Sequence, residues 1–266
     1  MRISGSRILI TGAGGGIGRF LALALARRGA VLLLADRPGD ALSGLCAEVA
    51  AQGAKAITLE TDLLQSDAPE KLAADAIERT GGVDILINLA GIMSFKLFQD
   101  EDAGSIERLW RVNVVAPMIL TRALLPQMLA RRSGRVVNIG SVFGSIGFAC
   151  FANYSANKFA VRGFSQALRR ELHGSGVGVT YIAPRYTKTP INAGAVSRMA
   201  NTLKMNMDEP QLVAEHIVHA IAKDQAEHYI GFPECLFVRI NALLPSLVDG
   251  AMRKQNLQIR SFAEAH

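Results

Sequence analysis

The chain has few of the features that mark secreted, metal-binding or membrane-spanning proteins. Its three cysteines, Cys46, Cys150 and Cys235, lie far apart and have no CxxC or histidine-paired spacing. This argues against a disulfide framework and against a zinc site. Purely apolar runs such as residues 20–26 are far shorter than the roughly 18 residues of a spanning helix. The first residues also lack the apolar stretch and cleavage site of a signal peptide. We therefore expect a cytoplasmic protein without a metal.

Linkers, repeats and low-complexity segments are missing as well, so residues 1–266 are expected to form a single domain. With 50% hydrophobic residues, the chain can bury a sizeable core. The net charge of +6 is mild, and no dense cluster of lysine and arginine with interleaved aromatics accompanies it. Nucleic acid is therefore a poorer explanation of the charge than an anionic cofactor.

Short apolar runs alternate with longer helical patterns along the chain. The runs occupy residues 7–11, 31–35, 56–59, 83–89, 135–140 and 177–182. They are continuous rather than alternating, as expected for strands that helices cover on both faces. This rhythm predicts an α/β fold with a doubly wound, mainly parallel sheet. Ligands of such sheets bind at the carboxyl ends of the strands.

Glycines cluster between the first strand and the first helix. Their spacing is T-G-x-x-x-G-x-G, with Gly12, Gly16 and Gly18, and G-x-G-x-x-G does not fit because position 17 is isoleucine. Glycines allow a tight turn, and the helix N-terminus that follows offers N–H groups and a positive dipole end to a pyrophosphate. The spacing favours a dinucleotide site over a glycine-rich loop without a ligand.

An acidic and a basic residue stand together at the end of the second strand, and their side chains favour different cofactors. Asp36 stands 18 residues after Gly18, where a carboxylate accepts hydrogen bonds from the ribose hydroxyls of NAD and repels the 2′-phosphate of NADP. Arg37 follows directly, and a guanidinium there can meet that phosphate. Capping of a turn by Asp36 and solvation of Arg37 are the alternatives. The sequence favours NAD, with NADP possible.

A tyrosine and a lysine stand four residues apart in a helical segment. Tyr154 and Lys158 therefore share a helix face. A phenol with an ordinary pKa of about 10 is a poor base at neutral pH. A nearby cation lowers the pKa of a phenol, and Lys158 supplies that charge. A tyrosine and a lysine with this spacing usually mark only an exposed helix face. The motif is therefore informative only when other motifs of a site accompany it.

Other candidate site residues accompany this motif along the chain. Ser141 follows the fifth strand, Asn88 and Gly91 belong to an Asn-x-Ala-Gly segment after the fourth, and Asn113 lies in a long helical region. With these motifs the chain resembles the short-chain dehydrogenase/reductase family, in its shorter-chain branch, over nearly all of residues 7–231. The resemblance implies a Rossmann-type three-layer sandwich with a seven-stranded sheet, and commonly a homodimer or homotetramer.

The resemblance also implies roles for the site residues. Tyr154 would be the general acid/base, and Lys158 would bind the nicotinamide ribose and lower the pKa of the tyrosine. Ser141 would orient the substrate, Asn113 would support a water-linked proton relay to Lys158, and Asp62 would contact the adenine. The residues expected to bind the cofactor are Gly12, Gly15, Gly16, Ile17, Gly18, Asp36, Arg37, Asp62, Leu63, Asn88, Ala90, Gly91, Tyr154, Lys158, Pro184, Thr187 and Thr189.

Two positions depart from the family pattern. The usual Asn-Asn-Ala-Gly has Leu89 at its second position, which affects loop structure more than chemistry. The usual Pro-Gly after the sixth strand is Pro184-Arg185. Arg185 either alters the preference for substrate charge or points to solvent, and the sequence does not decide between these.

The last part of the chain, residues 232–266, does not follow the family. Its apolar positions have helical spacing, and Pro245 is expected to kink or split the helix. The sequence favours a helical pair packed over the substrate pocket or a subunit interface. A membrane-surface or lipid-substrate contact is the alternative. If Leu236, Leu243 and Leu247 lined the pocket, the substrate would be apolar.

These observations predict an NAD(P)-dependent oxidoreductase that interconverts a secondary alcohol and a ketone. An apolar substrate is favoured, such as a long-chain ketone, a 3-oxoacyl group or a steroid-like molecule. A non-catalytic dinucleotide sensor or partner-binding protein on the same fold is the main alternative. A lyase or epimerase with a transient oxidation is a third. A sensor would more plausibly have lost one of the four catalytic residues.

Overall fold

All strands of the described chain lie in one parallel sheet. The computed structural model describes residues 1–264. The strands are β1 Arg7–Thr11, β2 Val31–Asp36, β3 Ala56–Glu60, β4 Ile85–Asn88, β5 Gly134–Ile139, β6 Val177–Ala183 and β7 Glu227–Tyr229. Their order across the sheet is β3-β2-β1-β4-β5-β6-β7, and each neighbouring pair is parallel. The order reverses between β1 and β4, which places a crevice at the carboxyl ends of these two strands.

Helices cover both faces of the sheet, as the continuous apolar runs predicted. They are α1 Gly16–Ala26, α2 Asp40–Ala51, α3 Ala68–Thr80, α4 Ala103–Trp110, α5 Ala116–Ala130, α6 Ala152–Glu171, α7 Ala195–Thr202, α8 Pro210–Ala222, α9 Glu234–Leu243 and α10 Pro245–Glu264. Successive residues of β1 point to opposite faces of the sheet and pack against different helices. Ile8 and Ile10 pack with α1 and α8, whereas Leu9 packs with α3 and α5. The doubly wound three-layer prediction is confirmed.

The long helical region predicted near residues 105–130 is interrupted. A π-helical turn, Arg111–Val115, separates α4 from α5, and such turns often occur at functional sites. By length and composition alone, the stretch Ala103–Ala130 could cross a membrane. Half of its most apolar window is buried inside the protein, and Leu120 and Leu124 belong to the core. It is therefore a core helix of the sandwich.

The C-terminal segment forms a helical hairpin. Pro245 begins α10 two residues after α9 ends, so it splits the helix as predicted. The suggestion that Leu236, Leu243 and Leu247 line the pocket is wrong, because their exposed fractions are 44%, 81% and 60%. The inward positions are instead Val238 of α9 and Ile259 of α10. Residues 265–266 of the predicted extension lie outside the described residues.

Candidate active site

A cleft of about 480 Å³ opens at the carboxyl ends of the strands. It collects almost every residue predicted to bind the cofactor: Gly12, Gly15, Gly16, Ile17, Gly18, Asp36, Arg37, Asp62, Leu63, Ala90, Gly91, Tyr154, Lys158, Pro184, Thr187 and Thr189. Ser141 lines it too. Asn88 and Asn113 do not line this cleft; both border a much smaller cavity behind it.

The glycine loop has the shape that a pyrophosphate requires. Gly12 has a φ of +72°, and a Cβ there would lie 2.8 Å from the Cα of Ala90. A Cβ on Gly16 would lie 2.7 Å from Thr189. Helix α1 begins with no capping side chain and no acidic residue in its first turn. Its N-terminal N–H groups therefore remain available for an anion, and the loop fits a dinucleotide.

The carboxylate at the end of β2 faces the glycine loop. One oxygen of Asp36 accepts from the N–H of Gly14 at 2.8 Å, and the other accepts from the N–H of Arg37 at 2.8 Å. Each oxygen keeps further capacity to accept a ribose hydroxyl. The Arg37 side chain is exposed. Asp62 lines the cleft and also accepts from the N–H of Leu64 at 3.1 Å, so it has a role in the turn, and its contact with the adenine stays a prediction.

Helix α6 and the end of β5 bring three side chains together. Lys158 is buried, and its Nζ donates to the carbonyl of Ile139 at 3.1 Å. The same Nζ lies 5.5 Å from the centre of the Tyr154 ring. Ser141 Oγ accepts from the N–H of Phe143 at 3.1 Å, and Ser141 also hydrogen-bonds the Tyr154 hydroxyl. A phenol, an ammonium group and an oriented hydroxyl thus meet in the cleft.

Burial shifts the pKa values of Tyr154 and Lys158 in the directions that favour the uncharged form of each side chain. Burial raises the pKa of Tyr154 to about 12, and only the hydrogen bond from Ser141 opposes this shift. Burial lowers the pKa of Lys158 to about 8. Desolvation of the phenol dominates here, and the prediction that Lys158, helped by oxidised nicotinamide, lowers the pKa of Tyr154 stays a prediction. A phenol of this kind holds its proton at neutral pH.

Two asparagines that the sequence assigned to the site lie behind the cleft. Asn88 donates to Asn138 at 2.8 Å and to Thr121 at 3.3 Å, so it braces the interior and does not face the cofactor cleft. Asn113 both accepts from the N–H of Ile92 and donates to its carbonyl, at 2.9 Å each. It fixes the loop after β4 and shares the small cavity with Lys158. The prediction that Asn113 supports a relay stays a prediction.

Sequence reasoning missed two side chains that position the site. Thr11 Oγ1 accepts from the N–H groups of Leu89 and Ala90 at 3.2 Å each, which joins β1 to the loop after β4. The buried Tyr181 hydroxyl donates to the carbonyl of Ser141 at 3.1 Å. Thr11 was visible as the residue before Gly12. Nothing in the apolar run of β6 indicates that Tyr181 reaches the backbone of Ser141.

Arg185 lines the cleft, and its largely buried side chain pairs with two carboxylates instead of pointing to solvent. Its guanidinium binds both carboxylate oxygens of Asp208, at 2.9 and 2.7 Å, and donates to Glu234 at 2.9 Å. Asp208 is 5% exposed and its backbone pairs with Thr187. Arg185 therefore ties the loop that carries Thr187 and Thr189 to the first turn of α9.

An apolar wall lies beside Tyr154. It combines side chains from the loop after β4, from the segment before α6, from α7 and from α10, and Tyr154 packs against it. Its members include Met93, Phe95, Phe143, Phe151, Val196, Met199, Ile259 and Phe262. Phe143 and Phe151 pack edge to face with ring centres 5.0 Å apart. Tyr154 belongs to both features: it lines the cleft and it packs against this wall, whose other named members do not line the cleft.

Known proteins similar to this chain identify its class. The sequence profile of the short chain dehydrogenase family matches residues 6–200, so the chain belongs to that family. It is 34% identical over 225 residues to the ketoacyl reductase HetN of Nostoc sp., covering 85% of this chain and 78% of that protein. It is 33% identical to epidermal retinol dehydrogenase 2 of Mus musculus, covering 91% and 79% of the two chains.

A solved structure that contains a bound cofactor is also similar to this chain. A short-chain dehydrogenase/reductase from Burkholderia phymatum in complex with NAD superposes with a TM-score of 0.85. The two chains are 26% identical, and the match covers 93% of this chain and 96% of that one. The protein is thus an oxidoreductase that uses a nicotinamide dinucleotide, NAD or NADP.

Proposed function

We propose that this protein interconverts a secondary alcohol and a ketone within an apolar substrate, with NAD as the preferred cofactor. The observation that carries the substrate proposal is the apolar wall against which Tyr154 packs. A chain of methylene groups gains by leaving water for such a surface, whereas a small polar ketone gains little. The names of two relatives, a ketoacyl reductase and a retinol dehydrogenase, support substrates with long hydrocarbon parts.

The site residues divide the proton chemistry between them. In the reductive direction the Tyr154 hydroxyl gives its proton to the substrate oxygen as that oxygen gains charge, and in the oxidative direction the phenolate takes it back. The Ser141 hydroxyl holds the same oxygen. Lys158 lies on the tyrosine's helix face and within reach of the cofactor cleft. When bound, the dinucleotide supplies or accepts the hydride.

Ketones of increasing chain length test the substrate class. We expect kcat/KM to rise with each methylene until the wall is covered, because each adds to the apolar contact. The Phe262→Ala variant, which shortens the wall, should lower kcat/KM for long ketones by roughly tenfold and leave the shortest ketone nearly unchanged. The matched control is Leu257→Ala on the same helix, where the side chain is 69% exposed. Equal rates on short and long ketones would disprove the apolar class.

The cofactor preference is tested at Asp36. We expect the wild-type protein to use NAD at lower concentration than NADP, since a carboxylate at this edge repels a 2′-phosphate. The Asp36→Asn variant removes this repulsion and leaves Arg37 in place. Its preference should shift toward NADP by roughly tenfold, about 1.4 kcal/mol, measured as the ratio of kcat/KM values. A variant with an unchanged ratio would assign no cofactor role to Asp36.

A dinucleotide sensor without turnover is the alternative that these assays also address. Ser141, Tyr154 and Lys158 line one cleft, and Asn113 borders the small cavity behind Lys158. This set supports catalysis, because a sensor does not need all four. Binding of NAD(H) without turnover on any ketone of the panel would favour the sensor. The homodimer or homotetramer and the cytoplasmic location expected from the sequence stay predictions.

A further inference from the structure

Exposed apolar side chains concentrate on the C-terminal hairpin. Among the described residues, fifteen large hydrophobic side chains are exposed, and seven of them fall within residues 232–257. Five of the seven lie in the first turn of α9 or around the turn between α9 and α10: Leu236, Phe237, Leu243, Leu244 and Leu247, with exposed fractions between 44% and 81%. We call these five residues the apolar tip. Scattered exposed leucines need no explanation, but a concentration of this kind marks a contact surface.

The hairpin is anchored to the protein in a way that holds the tip outward. Val238 packs with residues of the loop after β5, and Ile259 packs into the apolar wall. Asn241 donates to the carbonyl of Ser145 at 2.9 Å, and Glu234 pairs with Arg185. The inward face is thus already occupied by core contacts. The tip cannot turn inward without breaking these contacts, so its exposure belongs to the folded state.

The charges around the tip are mainly positive. Arg239, Arg253 and Lys254 are exposed and form no ion pair with any described residue of the chain. Of the acids on the hairpin, Glu234 is held by Arg185 and Glu264 by Arg260, which leaves Asp249 as the remaining acid. A partner that covers the tip therefore meets leucine and phenylalanine side chains bordered by excess positive charge.

We infer that the apolar tip docks on an anionic lipid surface. Helices that lie on membranes combine exposed leucine and phenylalanine with lysine and arginine, and their binding adds apolar insertion to attraction by anionic headgroups. A second copy of this chain is the less suitable occupant, because a two-fold contact would bring the same positive charges face to face. The anionic headgroups offer the complementary sign.

The position of the tip also suits the proposed substrate, although docking itself does not depend on that function. Helix α10 begins beside Leu247 of the tip and carries Phe262 into the apolar wall near Tyr154. A hydrocarbon substrate dissolved in the lipid would then contact the helix whose far end packs in the apolar wall with Tyr154. Binding to lipid and turnover of long ketones can be measured separately, so either can fail alone.

Sedimentation with vesicles tests the docking without any substrate. The full chain is mixed with vesicles of phosphatidylcholine alone or of phosphatidylcholine with phosphatidylglycerol, at low and high salt. We expect binding to the anionic vesicles that weakens as salt screens the headgroups. The triple variant Leu243→Ser, Leu244→Ser, Leu247→Ser should bind at least roughly tenfold more weakly, because three apolar side chains no longer enter the lipid. Arg253→Glu with Lys254→Glu should remove the preference for anionic vesicles.

Matched controls separate docking from loss of structure. Leu212→Ser changes a leucine of α8 that is 49% exposed, and its binding should equal that of the wild type. Circular dichroism and turnover of a short soluble ketone should be unchanged in the triple variant. Failure of the wild-type protein to bind anionic vesicles would overturn the inference. So would a triple variant that changes the oligomeric state in sedimentation velocity while vesicle binding stays the same, since the tip would then join copies of the chain.

Discussion

Replacing Tyr154 by phenylalanine should lower kcat for ketone reduction by about a thousandfold. The change removes one oxygen atom and retains the ring that packs against Phe143. General acid catalysis contributes roughly 10²–10⁴-fold, and Ser141 cannot replace the phenol because its hydroxyl is committed to orienting the substrate oxygen. Cofactor affinity, measured by fluorescence titration, should change by less than about threefold. The assay follows nicotinamide absorbance on the best ketone of the panel.

The pH dependence of turnover, compared between the wild type and Tyr154→Phe, shows whether the phenol transfers the proton. The pKa of Tyr154 is raised to about 12, so its phenolate fraction grows about tenfold per pH unit across the neutral and mildly alkaline range. Alcohol oxidation by the wild type needs the phenolate and should rise from pH 7 to pH 10. Ketone reduction needs the protonated phenol and should show no such rise. The residual oxidation by the variant should not follow the wild-type pH profile.

A matched tyrosine controls for the loss of a buried hydroxyl. Tyr229→Phe removes a hydroxyl that lies 3.0 Å from Ser145 Oγ and that the proposed chemistry does not use. This variant should keep the wild-type pH profile and most of its rate. Retention of more than a tenth of the activity in Tyr154→Phe would contradict the assignment of Tyr154 as the proton donor.

The meeting of Tyr154, Lys158 and Ser141 in one cleft could be predicted, because their positions depend on local rules. Tyr154 and Lys158 stand one helical turn apart, and Ser141 directly follows a strand, so the shared edge of a parallel sheet brings them together. The glycine loop and Asp36 follow the same logic, since the loop follows β1 and Asp36 ends its neighbour β2 at the same edge of the sheet. No knowledge of distant contacts is needed for any of these positions.

The predictions that were wrong depended on partners far along the chain. Asn88 turns inward because Asn138, 50 residues later, accepts its amide. Helical spacing correctly predicted apolar stripes on the C-terminal hairpin. However, the choice of inward stripe is made by contacts with distant segments, and these select Val238 and Ile259 over Leu243. Such choices belong to tertiary packing, which the sequence pattern does not specify.

Arg185 is the clearest case, because its partners stand 23 and 49 residues away. The family usually has glycine at this position, and the guanidinium here fills the space above Gly231 instead. A Cβ on Gly231 would lie 2.5 Å from the Arg185 side chain. Arg185 thus lacks the backbone freedom of a glycine, but it forms ion pairs that link the loop with Thr187 and Thr189 to the C-terminal hairpin. This link makes a strong prediction about stability.

Replacing Asp208 by asparagine should lower the free energy of unfolding by about 2–4 kcal/mol, because removal of one partner leaves a largely buried guanidinium with incomplete compensation. Asp208 is 5% exposed, while the Arg185 side chain is 16% exposed. Glu234 retains part of the pairing, which keeps the cost below that of a fully isolated charge. The measurement is urea unfolding followed by circular dichroism.

The neighbouring ion pair provides the control for this prediction. Lys188 and Glu209 also join the two segments, but their side chains are 50% and 64% exposed. Glu209→Gln should therefore cost less than about 0.5 kcal/mol. The Asp208→Asn variant should also raise KM for the cofactor more than it changes kcat, since the loop with Thr187 and Thr189 loses its anchor. If both variants unfold at the same urea concentration as the wild type, Arg185 does not hold the hairpin to the cofactor loop. Its bidentate contact would then contribute no more than a surface ion pair, and the tip would need another anchor to stay outward.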